Sequence, residues 1–308
     1  MCKRINIFLP ILMVFYFGGS IAVSVLIANT GIDVPYWLLL IAGEILLMIP
    51  AAGYVFIMKI SIRKCLPYRL LKAKDAILAL LTGYALIPAV LVINAVTMLF
   101  STNHLNSIQG GLGEYPFIIQ LILIAVVPAI VEEFVFRGLF YHSYRKNGIL
   151  GAALTSALLF GIMHLNINQF CYAFCIGIVF AIMVEATGSM FASMLAHFAV
   201  NSYSVIVLEI VSKASPDTIE KANSISSSGD AISVISVITI IAVWGVIAAG
   251  GIAIAVLLIR KMAKNNGRYE YLRNELKKGP HAFNGEKFIT VPALITIILS
   301  VAYMIYTG

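Results

Sequence analysis

The sequence predicts an all-α protein, a polytopic transmembrane helix bundle of about 8–9 spans with a polar basin open to the cytoplasm. Three observations lead there. Of 308 residues, 61% are hydrophobic and only 11% charged, too apolar for one soluble core under a wetted surface. Apolar runs of about 16 to 28 residues recur along the whole chain, the length a membrane helix needs. The connections between them alternate between strongly basic and nearly uncharged.

The runs fall near 6–28, 36–58, 76–100, 116–141, 149–165, 169–186, 188–211, 231–259 and 289–306. The first has a basic start and is too long for a signal-peptide core, so it reads as an uncleaved helix. The fifth and sixth are short enough to be tilted or re-entrant. Lys59, Arg63, Lys64, Arg69, Lys72 and Lys74 crowd the second connection, Arg145 and Lys146 the fourth. Segment 260–288 carries eight Lys and Arg residues, whereas "STNHLNSIQGGLGEY" before the fourth span has none. The positive-inside rule then puts the N-terminus and the basic segment 260–288 in the cytoplasm. Nine crossings leave the loop 212–230 and the C-terminus outside. Segment 260–288 can also form a short amphipathic surface helix. With no internal repeat, residues 1–308 read as one membrane domain, fitting a bacterial cytoplasmic membrane. The formal charge of +7 resides in these connections, so nucleic acid is not an expected partner, whereas membrane lipids are. Cys2, Cys65, Cys171 and Cys175 form no paired or metal-binding pattern.

Charges inside the spans are the chemical signal, because each costs roughly 2.5–3.5 kcal/mol on insertion scales. In "VEEFVFRGLF", helical spacing puts Glu133 and Arg137 on one face, able to pair. Glu132 lies about 140° from Arg137 and points elsewhere. The fifth run contains "FGIMH", with Phe160 one turn from His164, and the seventh "HFAVN", with His197 one turn from Asn201. Any one of these fits ordinary helix packing. Depth makes the set more telling. Glu132 lies sixteen residues before Gly148 and His164 sixteen after it, so a hairpin turning at Asn147-Gly148 brings them level. His197 and Asn201 lie roughly 14 and 20 Å along the seventh run, within reach of the same point. Glu44 reads as a helix-bonding or entrance-lining residue. Glu185 and Glu209 read as wetted, being near span ends.

These motifs resemble those of the CAAX prenyl protease and bacteriocin-processing (CPBP, or Abi) family of intramembrane endopeptidases. Its Glu-Glu-x-x-x-Arg, Phe-x-x-x-His and His-x-x-x-Asn/Asp motifs appear here in order as "EEFVFR", "FGIMH" and "HFAVN", across catalytic core helices 116–205. The resemblance implies a metal-free glutamic endopeptidase in which Glu132 and His164 activate water. His197 and Asn201 would stabilise the tetrahedral intermediate, while Glu133, Arg137 and Phe160 support the site. It implies a hydrophobic or lipid-anchored peptide or protein as substrate. Three other readings stay open: a zinc-dependent membrane protease using the carboxylate and imidazoles, a non-catalytic bacteriocin-immunity or scaffold protein, and a proton-coupled transporter.

Overall fold

In the computed structural model, residues 2–61, 68–101, 115–214, 234–280 and 287–307 are described, and every regular element among them is helical. The helices are α1 (Cys2–Thr30), α2 (Tyr36–Ile57), α3 (Ala73–Thr97), α4 (Phe117–Asn147) and α5 (Ile149–Ile162). They continue with α6 (Ile167–Thr187), α7 (Met190–Ala214), α8 (Val234–Asn265), α9 (Tyr269–Lys277) and α10 (Val291–Thr307). Seven of them, α1–α4 and α6–α8, are long and apolar enough to cross a membrane, and α5 and α10 are shorter apolar helices. These nine correspond to the nine apolar runs. The chain is an integral membrane protein. The predicted loop 212–230 lies outside the described residues from 215 onward, as does Cys65.

Apolar residues cover much of the outer surface, Val14, Phe56 and Val246 among them, as expected where lipid rather than water is the solvent. Helices meet closely where side chains are small. A Cβ on Gly83 of α3 would strike the Ala196 carbonyl and Ala199 of α7. One on Gly251 of α8 would strike the Ala85 carbonyl of α3.

Helix α4 is continuous but not uniform. Its turns widen to π geometry over Ile122–Val126 and Phe134–Tyr141. Pro128 explains the first disturbance, because it has no N–H to offer the carbonyl of Ile124 four residues earlier. The Asn201 side-chain amide donates to that carbonyl from α7 at 3.1 Å. Ser156 of α5 likewise donates to the Phe136 carbonyl in the second widened stretch, at 2.7 Å. Both disturbances are thus stitched by neighbouring helices.

The fifth run was expected to reach residue 165, but α5 stops at Ile162. Fourteen residues rise only about 21 Å, short of a roughly 30 Å hydrocarbon core. The turn to α6 therefore sits at membrane depth, where irregular backbone survives only if buried or facing water. It is well bonded. The Asn166 side chain accepts from the Gln169 N–H at 3.0 Å, capping α6. Asn168 donates to Thr97 Oγ1 at 2.7 Å and to the Asn94 carbonyl at 3.2 Å, tying the turn to the end of α3.

At the other end of the bundle the basic connections gather. Buried Asp75 accepts from Asn265 at 2.7 Å and Asn266 at 2.9 Å, pinning α3 to α8. The eighth run extends past its expected end at residue 259 to Asn265, and α9 follows as the short charged helix anticipated in 260–288. Glu185 was expected to be wetted and is instead 1% exposed. Arg145 Nε approaches it at 2.7 Å, Arg268 Nη2 at 2.8 Å, and the Tyr141 hydroxyl donates at 3.1 Å. One carboxylate thus locks α4, α6 and the α8–α9 turn. Glu209 does meet solvent, paired with Lys213 at 2.6 Å.

Candidate active site

The site forms where the undisturbed middle of α4 (Val127–Glu133) faces the α5–α6 turn and α7. Glu133 and Arg137 make the ion pair that their spacing predicts, 2.9 Å apart and wholly buried. Arg137 lies 4.4 Å from the Phe160 ring centre and 5.3 Å from that of Phe180, so aromatic faces shield the charge. Gly177 makes room for it, since a Cβ there would stand 2.9 Å from Arg137 Nη2.

Glu133 does more than pair with arginine. Its Oε1 also lies 3.1 Å from Nδ1 of His197, whose Nε2 faces Glu132 Oε2 at 3.6 Å. His197 therefore stands between the two glutamates. A carboxylate can only accept here, so Nδ1 carries a proton, and Nε2 is the nitrogen turned toward Glu132. His164 has the same polarity. Its Nδ1 lies 3.0 Å from the Phe160 carbonyl, again acceptor-only, so the neutral ring offers a bare Nε2. Phe160 packs edge-on against both imidazoles, at 5.2 Å from His164 and 5.7 Å from His197, and Phe180 stacks on His197 at 5.4 Å.

Glu132, His164, His197 and Asn201 share one cavity of about 310 Å3. It is at the small end of ligand-pocket volumes and is walled mostly by apolar residues of α2, α3, α4, α6 and α7. Glu132 is partly open to it, at 18% side-chain exposure against 3% for His197. Among the described residues, no three His, Cys, Asp or Glu side chains gather as a metal-ligand set.

The cavity lining is drawn from one part of each helix. From α4 it uses Leu123 to Glu132 but nothing from the buried Phe134–Tyr141 stretch that follows. From α6 it uses Gln169 to Ile176, from α7 His197 to Ser204, and from α3 Ile87 to Asn94. Each helix contributes the part remote from the Arg145, Lys146 and Arg268 cluster. The lining therefore lies on the side of the site away from that cluster. The side toward the basic end is filled by Phe136, Arg137, Phe140 and Tyr141, all buried.

Sequence reasoning had no sign of Phe180 or Gly177 at the site, since neither belongs to a motif. It also treated Glu44 as a residue of undecided place, whereas Glu44 lines the same cavity as Glu132.

With this geometry in place, comparison with known proteins is informative. Residues 114–203 match the family described as type II CAAX prenyl endopeptidase Rce1-like. This segment is similar to the CAAX-protease family. Its bounds enclose α4 to the middle of α7, with every residue of the three motifs. "Putative membrane peptidase YdiL" of Bacillus subtilis (strain 168) is 28% identical over 90 residues. That match covers 29% of this chain and 37% of the relative, so it spans about a third of that protein's length. No solved structure matches significantly.

Proposed function

We propose that the chain is an intramembrane endopeptidase that hydrolyses a peptide bond in a hydrophobic or lipid-anchored peptide, using water activated by Glu132. The observation that carries this reading is the Glu133–His197–Glu132 relay. A buried carboxylate fixes the imidazole through Nδ1, and the other nitrogen faces a carboxylate open to a cavity in the bilayer. A binder or an immunity scaffold has no need of such a relay, and the CAAX-protease match adds weight to catalysis.

In this reading Glu132 takes a proton from water as the water oxygen attacks the carbonyl carbon. The bare Nε2 of His164 accepts the water's other hydrogen and aims its lone pair. Asn201 spends one amide hydrogen on the Ile124 carbonyl and has the second for the oxyanion. His197 can donate to the oxyanion only as an imidazolium, which would sit between two carboxylates. When the C–N bond breaks, the proton that Glu132 took from water goes to the leaving amine. The protein groups suffice for this sequence, so we propose that no metal takes part. The bacterial cytoplasmic membrane is the proposed location.

The test is incubation of purified protein with a hydrophobic peptide library, products read by mass spectrometry. Cleavage by the natural chain and none by Glu132→Gln or His164→Ala is expected. Normal cleavage by Glu132→Gln would overturn the mechanism, and binding without products would favour the scaffold reading. Activity persisting after chelation, with no metal found by elemental analysis, is expected; loss on chelation restored by zinc would favour the metalloprotease.

A further inference from the structure

Beside Glu132, four glutamates of the long apolar helices have been described, and three of these have Lys or Arg partners. Glu133 holds Arg137, Glu185 holds Arg145 and Arg268, and Glu209 holds Lys213. Glu44 of α2 differs. It joins no ion pair among the described residues, and its Oε2 is buried with no hydrogen-bond partner. An unpaired carboxyl at this depth is costly, so it needs a reason.

Its surroundings supply one. Glu44 lines the cavity that holds Glu132, close enough for the two carboxylates to repel. Among the described residues no lysine or arginine lines that cavity, because Arg137 lies behind its floor, engaged with Glu133. The wall therefore carries two carboxylates and two imidazoles, with no cation to offset them. A bound peptide bringing its own positive charge would meet the orphan oxygen in a low-dielectric setting, where a charge-assisted hydrogen bond is strong. A peptide bringing a carboxylate would be repelled by the same wall.

We infer that Glu44 is a cation-recognising subsite, so that the preferred peptide carries a lysine or arginine side chain beside its hydrophobic cleavage segment. This rests on the endopeptidase reading for its link to cleavage, but not for its link to binding. Glu44 would act as a specificity residue and take no part in bond breaking.

The experiment uses full-length protein in nanodiscs and a fluorescent hydrophobic peptide with one lysine, paired with its norleucine and glutamate analogues. Binding is measured to the Glu132→Gln protein, and cleavage with Glu132 intact. The lysyl peptide is expected to bind about tenfold more tightly than the norleucine one, with the glutamyl peptide weakest. Glu44→Gln, made in the Glu132→Gln protein, should erase that ratio while leaving norleucine-peptide binding unchanged. Glu44→Asp, which keeps the charge, should retain part of the preference and serves where the amide variant does not fold. Equal affinities for the three peptides, a ratio that survives Glu44→Gln, or equal weakening for all three would overturn the subsite. A lysine preference that depends on Glu44 without any cleavage would sink the endopeptidase reading and leave the subsite standing.

Discussion

Glu133 orients His197: its Oε1 lies 3.1 Å from Nδ1 of the ring and 2.9 Å from Nη1 of Arg137, so one oxygen serves both a structural ion pair and the imidazole. Replacing it by glutamine separates these roles from those of Glu132. An amide can offer an N–H to Nδ1, which would reverse the tautomer and turn Nε2–H toward Glu132. Cleavage by Glu133→Gln should fall by roughly 10²–10⁴ through kcat, with peptide KM little changed. Buried Arg137 also loses its counter-charge, so thermal stability should drop in parallel, by about 3 kcal/mol or more. A kinetic assay beside a melting curve checks both, and an unaltered kcat would remove Glu133 from the relay.

The Asn201–Pro128 relationship gives a rescue experiment. Asn201→Leu strips the donor from the Ile124 carbonyl, whose helical partner is missing because residue 128 is proline. The cost should be about 1–3 kcal/mol, read as a lower melting temperature. Adding Pro128→Ala supplies the absent backbone N–H and should recover most of that stability. Cleavage should stay low in the double variant, because the second amide hydrogen of Asn201 is still gone. Recovery of activity along with stability would make Asn201 a purely structural residue.

What the sequence revealed follows from how far apart the interacting groups lie along the chain. Pairs one helical turn apart, Glu133 with Arg137 and Phe160 with His164, are fixed by local periodicity and were readable. The nine apolar runs were readable for the same reason. The Glu133–His197 contact joins groups 64 positions apart, and depth matching brings the right helices level without saying which ring nitrogen faces which carboxylate. Glu185 looked surface-bound because its partners, Arg145 and Arg268, belong to remote connections that fold over it. The widened turns of α4 also escaped notice: Pro128 hints at the first, but a 3.6-residue period cannot represent them.

The Glu185 clamp makes a prediction about folding rather than chemistry. Removing the carboxylate leaves Arg145 and Arg268, each less than a third exposed, facing one another without a counter-ion. Glu185→Ala should destabilise the protein by about 3 kcal/mol, and Glu185→Gln by less, since its amide oxygen in the place of Oε2 still accepts from both guanidinium groups. Melting curves in detergent report the order. Equal stability in all three proteins would show that the clamp contributes nothing.

The last prediction concerns the side from which the cavity is reached. Its walls use Leu40 and Glu44 from α2, Asn94 from α3 and Ser204 from α7, all on the side of Glu132 away from Arg145, Lys146 and Arg268. If those cations lie in the cytoplasm, as the positive-inside rule requires, the cavity belongs to the outer half of the membrane. Labelling in intact cells tests this. In a chain whose four native cysteines are replaced by serine or alanine, a membrane-impermeant maleimide should react with Ser204→Cys from outside. Lys261→Cys, near the basic end of α8, should react only after the cells are permeabilised. The reverse pattern would invert the orientation and bring the cavity to the cytoplasm, with the basic cluster outside. Protection of Ser204→Cys by a bound hydrophobic peptide would further tie the labelled space to the substrate path, because the same side chain lines the cavity with His197.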